Sequence, residues 1–181
     1  MLDLKMLIPE EISGTHIESE ISRDQIRISG RYRNHRRFSL NLNRFIDEPL
    51  FYFGCGLFAG EGTKGGKGTP FEFANSNPMI IRKMMQLLQQ LGIPKSTISP
   101  RVQLRVNEKS TRDLIEMLSD FWSEHMEIPK DRFRKASIRV KETAGRSRYG
   151  TVSIRINSGI VGTLFIFWTD QILRDQYPLQ S

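Results

Sequence analysis

The residues best suited to chemistry lie in a glycine-rich stretch that ends in an acid, Glu61. Within a helix, each of Gly54, Gly56 and Gly60 costs about 1 kcal/mol relative to alanine, so roughly 3 kcal/mol must be offset. Gly56, Ala59 and Gly60 are spaced i, i+3 and i+4, which gives a smooth stripe on which another backbone can lie close. Glu61 follows at the helix end, where the dipole disfavours a carboxylate. The pattern predicts a packing seam that delivers the Glu61 carboxylate to a cation.

Three predicted strands, 101–107, 137–141 and 151–157, carry a second chemical pattern because apolar and polar residues alternate along them. Their valine, leucine and isoleucine side chains are expected to face a core. The opposite face has cations, amides and hydroxyls without an acid: Arg101, Gln103, Arg105, Asn107, Ser137, Arg139, Lys141, Thr151, Ser153, Arg155 and Asn157. A solvated sheet face would normally mix charges of both signs. These side chains suit phosphates and base edges, and the lack of stacking aromatics favours duplex over single-stranded nucleic acid.

Composition limits the classes of protein that fit. The 181 residues suit one domain plus an appendage, and the net charge of +7 favours an anionic partner over an inert basic surface. One cysteine and three histidines argue against disulfides and a zinc site. No signal peptide or membrane-length apolar run is visible, so we expect an intracellular protein, in the cytoplasm or an organellar matrix, without a membrane partner.

A glycine-rich turn at 63–70, with Lys64 and Lys67, invites comparison with a phosphate-binding loop. A Walker loop would need glycine at 61 and Ser or Thr at 68, where Glu61 and Gly68 stand. Two matches to the dinucleotide-binding glycine pattern lack the required strand and helix context. The sequence therefore disfavours nucleotide binding.

Residues 1–48 form a separate, basic N-terminal extension in this interpretation. Alternation at 26–33 and 38–42 predicts a β-hairpin. Between Arg23 and Arg44 there are seven arginines and one acid. This basic β-hairpin is either a solvent-exposed edge whose charge keeps the protein soluble or an arm that binds phosphates.

The remainder, 49–181, is expected to alternate helices and strands. The aromatic and leucine residues of the first helix are expected to fill a core: Phe51, Tyr52, Phe53, Leu57 and Phe58. The predicted order is helix 49–61, strand 71–75, helix 79–91, strand 101–107, helix 110–126, paired strands 137–141 and 151–157, and helix 158–174.

The nine residues Gly54-Cys-Gly-Leu-Phe-Ala-Gly-Glu-Gly62 resemble the motif of the LAGLIDADG homing endonucleases. The third, fourth and ninth positions match as Gly56, Leu57 and Gly62, and Glu61 fills the acidic eighth position. The other five positions depart, as Gly54, Cys55, Phe58, Ala59 and Gly60. The order of elements is similar to the αββαββα core of that family, an α+β fold with a curved antiparallel sheet. The helix at 110–126 and the N-terminal hairpin would be additions.

The resemblance implies a metal-dependent, site-specific endonuclease that cleaves double-stranded DNA. Glu61 would be the catalytic acid, and Glu61 and Gly60 would hold Mg²⁺ or another divalent cation such as Mn²⁺. Because the chain has one motif, two acids imply a homodimer with its interface at Gly56, Ala59 and Gly60. The DNA-binding residues implied are Lys64, Lys67, Arg101, Gln103, Arg105, Arg139, Lys141, Arg148, Ser153 and Arg155. Gln103 and Lys141 are also candidates for the basic or amide residue that the family keeps near the cleavage pocket.

Two other functions fit parts of the pattern. The first is a catalytically silent domain of the same type that only binds DNA, as a regulator, or helps RNA splicing. The second is a structural or protein-binding module whose glycine stripe is only a tight core helix. It predicts no affinity for duplex DNA, or affinity without a steep dependence on salt. The acid at Glu61 favours the endonuclease.

Overall fold

The fold is that of a computed structural model, which describes residues 1–12, 14–32, 34–63, 65, 69–106, 112–140 and 149–176. It is a mixed α+β structure, as the sequence predicts. Lys64, Lys67, Lys141 and Arg148 lie outside the described residues.

The N-terminal part is a β-structure of short strands. They are β1 (Leu2–Asp3), β2 (Glu11–Ile12), β3 (Thr15–Ile21), β4 (Gln25–Arg31), β5 (Arg37–Asn43) and β6 (Phe45–Ile46). The predicted hairpin is confirmed as β4 and β5, within an antiparallel four-stranded sheet of order β2-β3-β4-β5. Strand β3 was not predicted, because only Ile17 of its seven residues is buried and its alternation is weak.

The following part begins with the glycine-rich helix and alternates helices with strands. The elements are α1 (Glu48–Glu61), β7 (Phe71–Asn75), α2 (Pro78–Gln90), β8 (Arg101–Val106), α3 (Arg112–Met126), β9 (Ser137–Val140), β10 (Thr151–Ile156) and α4 (Gly159–Gln176). Caps fix the helix starts, since side-chain oxygens of Asp47 and Asn77 accept from the amides of Leu50 and Met79 at 2.8 and 2.9 Å.

Strands β7 to β10 form a second sheet, of order β7-β10-β8-β9. The expected pairing of β9 with β10 is wrong, because β10 pairs antiparallel with β7 and β8, while β9 pairs parallel with β8. The helix α3 connects β8 to β9, and such a crossover allows parallel pairing. The more apolar β10, with Val152, Ile154 and Ile156 buried, takes a central position.

The core lies between this sheet and the helices and is rich in aromatic side chains. Phe58 stacks on Phe71 with ring centroids 5.2 Å apart, and Phe71 packs on Phe165 at 4.7 Å. The indole of Trp168 donates to the carbonyl of Leu7 at 2.8 Å. Buried residues of the N-terminal part belong to the same hydrophobic cluster, so the two parts share a core.

Across the described residues, no helix combines the length and apolar character that crossing a bilayer requires.

Candidate active site and nucleic-acid interface

Helix α1 places the Glu61 carboxylate at its C-terminal end, where the residue is exposed. The helix closes with the amide of Gly62, which donates to the carbonyl of Phe58 at 2.8 Å. The chain then joins β7, because Gly62 bridges Phe73 and the amide of Thr63 donates to the carbonyl of Glu72 at 2.9 Å. These contacts fix the helix end beside an edge strand of the second sheet.

The glycines of α1 divide between a buried and an exposed face. Gly54 faces α2, and a Cβ atom there would collide with Cδ2 of Leu87. At Gly56 and Gly60 an added Cβ would meet no atom of the described residues within 4 Å. Of the three glycines, only Gly54 is packed closely against other described residues of the chain.

The exposed face of α1 is broader than predicted. Ala59 is half-buried beside the two exposed glycines. Tyr52 and Phe53 were expected to fill the core but are 42% and 51% exposed. The expectation fails because the core lies on one side of the helix, against Phe51 and Phe58. We define the smooth face of α1 as Tyr52, Phe53, Gly56, Ala59 and Gly60.

The polar face of the second sheet is the side away from the core. Arg101, Gln103 and Arg155 lie on it, partly exposed. The register brings Thr151 opposite Gln103, and the backbone positions of Arg105 and Arg139 are paired in β8 and β9. Three members of the predicted DNA-binding set therefore share one surface: Arg101 and Gln103 of β8 and Arg155 of β10.

Ser153 needs correction as a predicted DNA contact. It lies opposite Arg101 in β10 but is 0% exposed. The guanidinium of Arg134 lies over it, with Nη2 3.5 Å from the Ser153 hydroxyl. In this arrangement Ser153 supports Arg134 rather than meeting a ligand.

The expectation of a face without acids is also wrong, because β7 adds Glu72. The register sets Glu72 opposite Arg155. Its carboxylate oxygens lie 3.7 Å from Nη1 of Arg155 and 3.4 Å from Nη2 of Arg134. The strand order could not be read from the sequence, so this acid was not placed on the face. The arginines still outnumber it.

Arg134 is the residue of this face that sequence reasoning missed. It lies in an irregular segment before β9, where no periodicity marks its direction. The only available signal was the basic character of the segment, with Arg132 and Lys135 beside it. Burial, followed by repulsion from Arg101, lowers the pKa of the Arg134 guanidinium.

The donors at the end of α1 suit a hard divalent cation. Glu61 offers a carboxylate, and the Gly60 carbonyl belongs to the last turn, where helix carbonyls lack intrahelical partners. Mg²⁺ prefers such oxygen ligands and keeps several waters or phosphate oxygens. Within the part of the chain that the structure describes, no three His, Cys, Asp or Glu side chains cluster around a metal-sized space.

Cys55 is not a candidate catalytic residue. Its side chain is buried in the core, and burial raises the pKa of the thiol to about 12. A thiol at that pKa is almost wholly protonated near neutral pH, so it is no nucleophile.

Comparison with protein families matches residues 48–125 to the model described as LAGLIDADG-like domain. The match begins at the first residue of α1 and ends within α3, so it includes Glu61, β7 and β8. No curated protein and no solved structure gives a significant match to the chain.

Proposed function

Because the chain carries a LAGLIDADG-like domain, the domain of a family of homing endonucleases and related proteins, we propose that it cleaves double-stranded DNA at specific sites. The proposed enzyme is a homodimer that hydrolyses phosphodiester bonds with one Glu61 from each subunit. The observation that carries this proposal is an exposed carboxylate at the end of a helix whose outer face is smooth.

The polar face supports duplex DNA as the substrate. Arg101, Gln103 and Arg155 are on one surface, and the described strands place no aromatic side chain among them. Arginine and glutamine contact phosphates and the base edges of the major groove.

The smooth face of α1 supports the dimer. Small residues let two helix backbones approach closely, and Tyr52 and Phe53 add apolar area that a partner would cover. Two such helices crossing at a two-fold axis would bring the two Glu61 carboxylates together, and a near-palindromic target follows from that symmetry. Carboxylates so close repel each other unless a cation lies between them.

Glu61 and the carbonyl of Gly60 are the groups that would hold a divalent cation such as Mg²⁺ or Mn²⁺. When bound, such an ion activates water and stabilises the leaving oxygen of a phosphodiester. The residues of the chain do the positioning. The attachment of Gly62 and Thr63 to β7 sets where the carboxylate stands, and the arginines of the polar face hold the duplex against it.

Replacing Glu61 by glutamine tests the proposal. We expect the wild-type protein, incubated with Mg²⁺ and a library of duplex targets, to cleave a subset of them. Glu61→Gln should bind that subset without cleaving it. Glu48→Gln is the matched control, because Glu48 is an exposed acid at the opposite end of the same helix.

Binding of the selected duplexes without cleavage by the wild-type protein would reject the endonuclease. It would favour the catalytically silent DNA-binding protein instead. Absence of any salt-dependent affinity for duplex DNA would reject both.

A further inference from the structure

Arg134 is held across the polar face by contacts with the residues just before β8. Its amide donates to the carbonyl of Pro100 at 2.7 Å, and its Nε donates to the carbonyl of Ser99 at 3.3 Å. These contacts fix the segment before β9 against the start of β8. The guanidinium therefore reaches the middle of the sheet, over Ser153.

Two arginines share one carboxylate at that point. Nη2 of Arg134 is 3.4 Å from one oxygen of Glu72, and Nη1 of Arg155 is 3.7 Å from the other. A charge-assisted hydrogen bond of full strength spans about 2.7–2.9 Å, so both pairs are loose. Arg155 is further held by Asn157, whose side-chain oxygen accepts from its Nε at 2.9 Å.

Arg101 is the third cation of the cluster. It faces Ser153 across the sheet, and its charge acts on Arg134. Its Nε is shielded from solvent, and no described residue accepts a hydrogen bond from it. A buried donor without an acceptor is uncommon in a folded protein and calls for an explanation.

The cluster thus holds three guanidinium groups and one carboxylate, all partly buried. Its excess of positive charge, carried by partly exposed side chains, fits one more anion. An arginine that recognises a guanine base acts singly, with two hydrogen bonds to one base edge. Arg134 and Arg155 instead share one carboxylate, and Arg101 lies beside them, opposite Ser153. This arrangement suits a single phosphate, which offers several acceptor oxygens.

We propose that Arg101, Arg134 and Arg155 form a phosphate-binding site on the polar face, with Glu72 as its internal anion. In the free protein Glu72 keeps the arginines together against their mutual repulsion. On duplex DNA a backbone phosphate takes the remaining donors, so the cluster sets how the DNA lies on the sheet and does not select a base. This site rests on the proposed DNA binding and is independent of cleavage.

Salt dependence of duplex binding is the first test, measured without divalent cation so that no cleavage occurs. Each phosphate contact contributes about 0.9 to the slope of log affinity against log salt. Arg134→Gln should weaken binding to different sequences equally and reduce that slope by about 1. Arg174→Gln, which removes an exposed arginine of α4, is the control and should leave the slope unchanged.

Three results would overturn the site. The first is a loss confined to targets with one particular base pair, which would make Arg134 a base contact. The second is a slope that does not change in Arg134→Gln. The third is a lower Tm with unchanged DNA binding, which would make Arg134 a purely structural residue.

Inorganic phosphate provides a second test that needs no DNA. Compared with chloride at equal ionic strength, phosphate should raise the Tm of the wild-type protein, and more so that of Glu72→Gln, where the competing anion is gone. Arg134→Gln should lose this shift. Equal shifts in the wild type and Arg134→Gln would refute the site. If the wild type binds no duplex at all, the proposed function fails, whereas the phosphate shift still decides whether the site exists.

Discussion

Alanine at Gly56 and Gly60 should raise the stability of one chain while weakening its assembly on DNA. Within the described part of the chain, an added Cβ at either position meets no atom within 4 Å, so that part accepts it without strain. Replacing glycine by alanine inside a helix gains about 1 kcal/mol, or about 2 kcal/mol for both positions. For a chain of 150–250 residues, 1 kcal/mol shifts Tm by about 2–4 °C, which gives about 4–8 °C for the double variant.

The proposed dimer should respond in the opposite direction. Each methyl group lies on the smooth face of α1, where the proposed partner helix would approach most closely. Two alanines on each of two chains would separate the helices and move both Glu61 carboxylates away from the scissile phosphates. A misplacement of about 1 Å can reduce a catalytic rate about 100-fold.

Two measurements on the same samples separate these effects. Thermal melts at low protein concentration without DNA report the single chain, because association raises the apparent stability of a folded protein. Sedimentation with a cleavable duplex and Mg²⁺ measures assembly on DNA. The rate of product formation measures the cleavage activity that depends on Glu61.

Gly54→Ala is the matched control. Its Cβ collides with Leu87 inside the chain, so overpacking of about 1–3 kcal/mol should cancel or exceed the gain in helix propensity. The proposed interface is refuted if Gly56→Ala/Gly60→Ala raises Tm as expected but assembles on DNA and cleaves like the wild type. In that case the smooth face is not the interface.

Two further predictions concern groups away from the site. The guanidinium of Arg44 lies 2.8 Å from Asp3, and the hydrogen bond lowers the pKa of that carboxyl. The ion pair of Asp3 with Arg44 therefore contributes to stability at neutral pH, and this contribution is lost as the pH falls below about 4. The stabilities of Asp3→Asn and the wild type, measured by urea melts, should differ at pH 7 and converge in acid. A difference that stays constant with pH would contradict this. Cys55, with its raised thiol pKa, should resist alkylation at pH 8 until urea unfolds the chain, and rapid labelling of native protein would show that the core opens locally.

Local signals in the sequence were sufficient to predict where α1 and α2 begin. Asp47 and Asn77 are good N-cap residues followed within two positions by proline, and α1 and α2 begin where those pairs predict. The alternation in 101–106 and 151–156 likewise gave β8 and β10. These features depend on neighbours in sequence, so one chain suffices to predict them.

Non-local pairing was the part that the sequence did not determine. Strands β9 and β10 are consecutive and looked like a hairpin, but β9 follows the α3 crossover and pairs with β8. That order brings β7 to the opposite edge and Glu72 onto the polar face. The same limitation hid Arg134, whose direction is set by two carbonyl groups of the segment before β8. Site residues on regular elements were predictable, and those positioned by sheet order or irregular backbone were not.

Strand β7 connects the two parts of the proposed site. The backbone of Glu72 accepts from the amide of Thr63, two residues after the Glu61 carboxylate, while its side chain faces Arg134 and Arg155. Glu72 thus fixes the end of α1 through its carbonyl and the arginine cluster through its carboxylate. Because the pairing of Gly62 with Phe73 holds the same register, the helix end cannot shift along β7 without breaking these backbone contacts. A phosphate gripped by the arginines would therefore be held in a fixed position relative to Glu61, as specific cleavage requires.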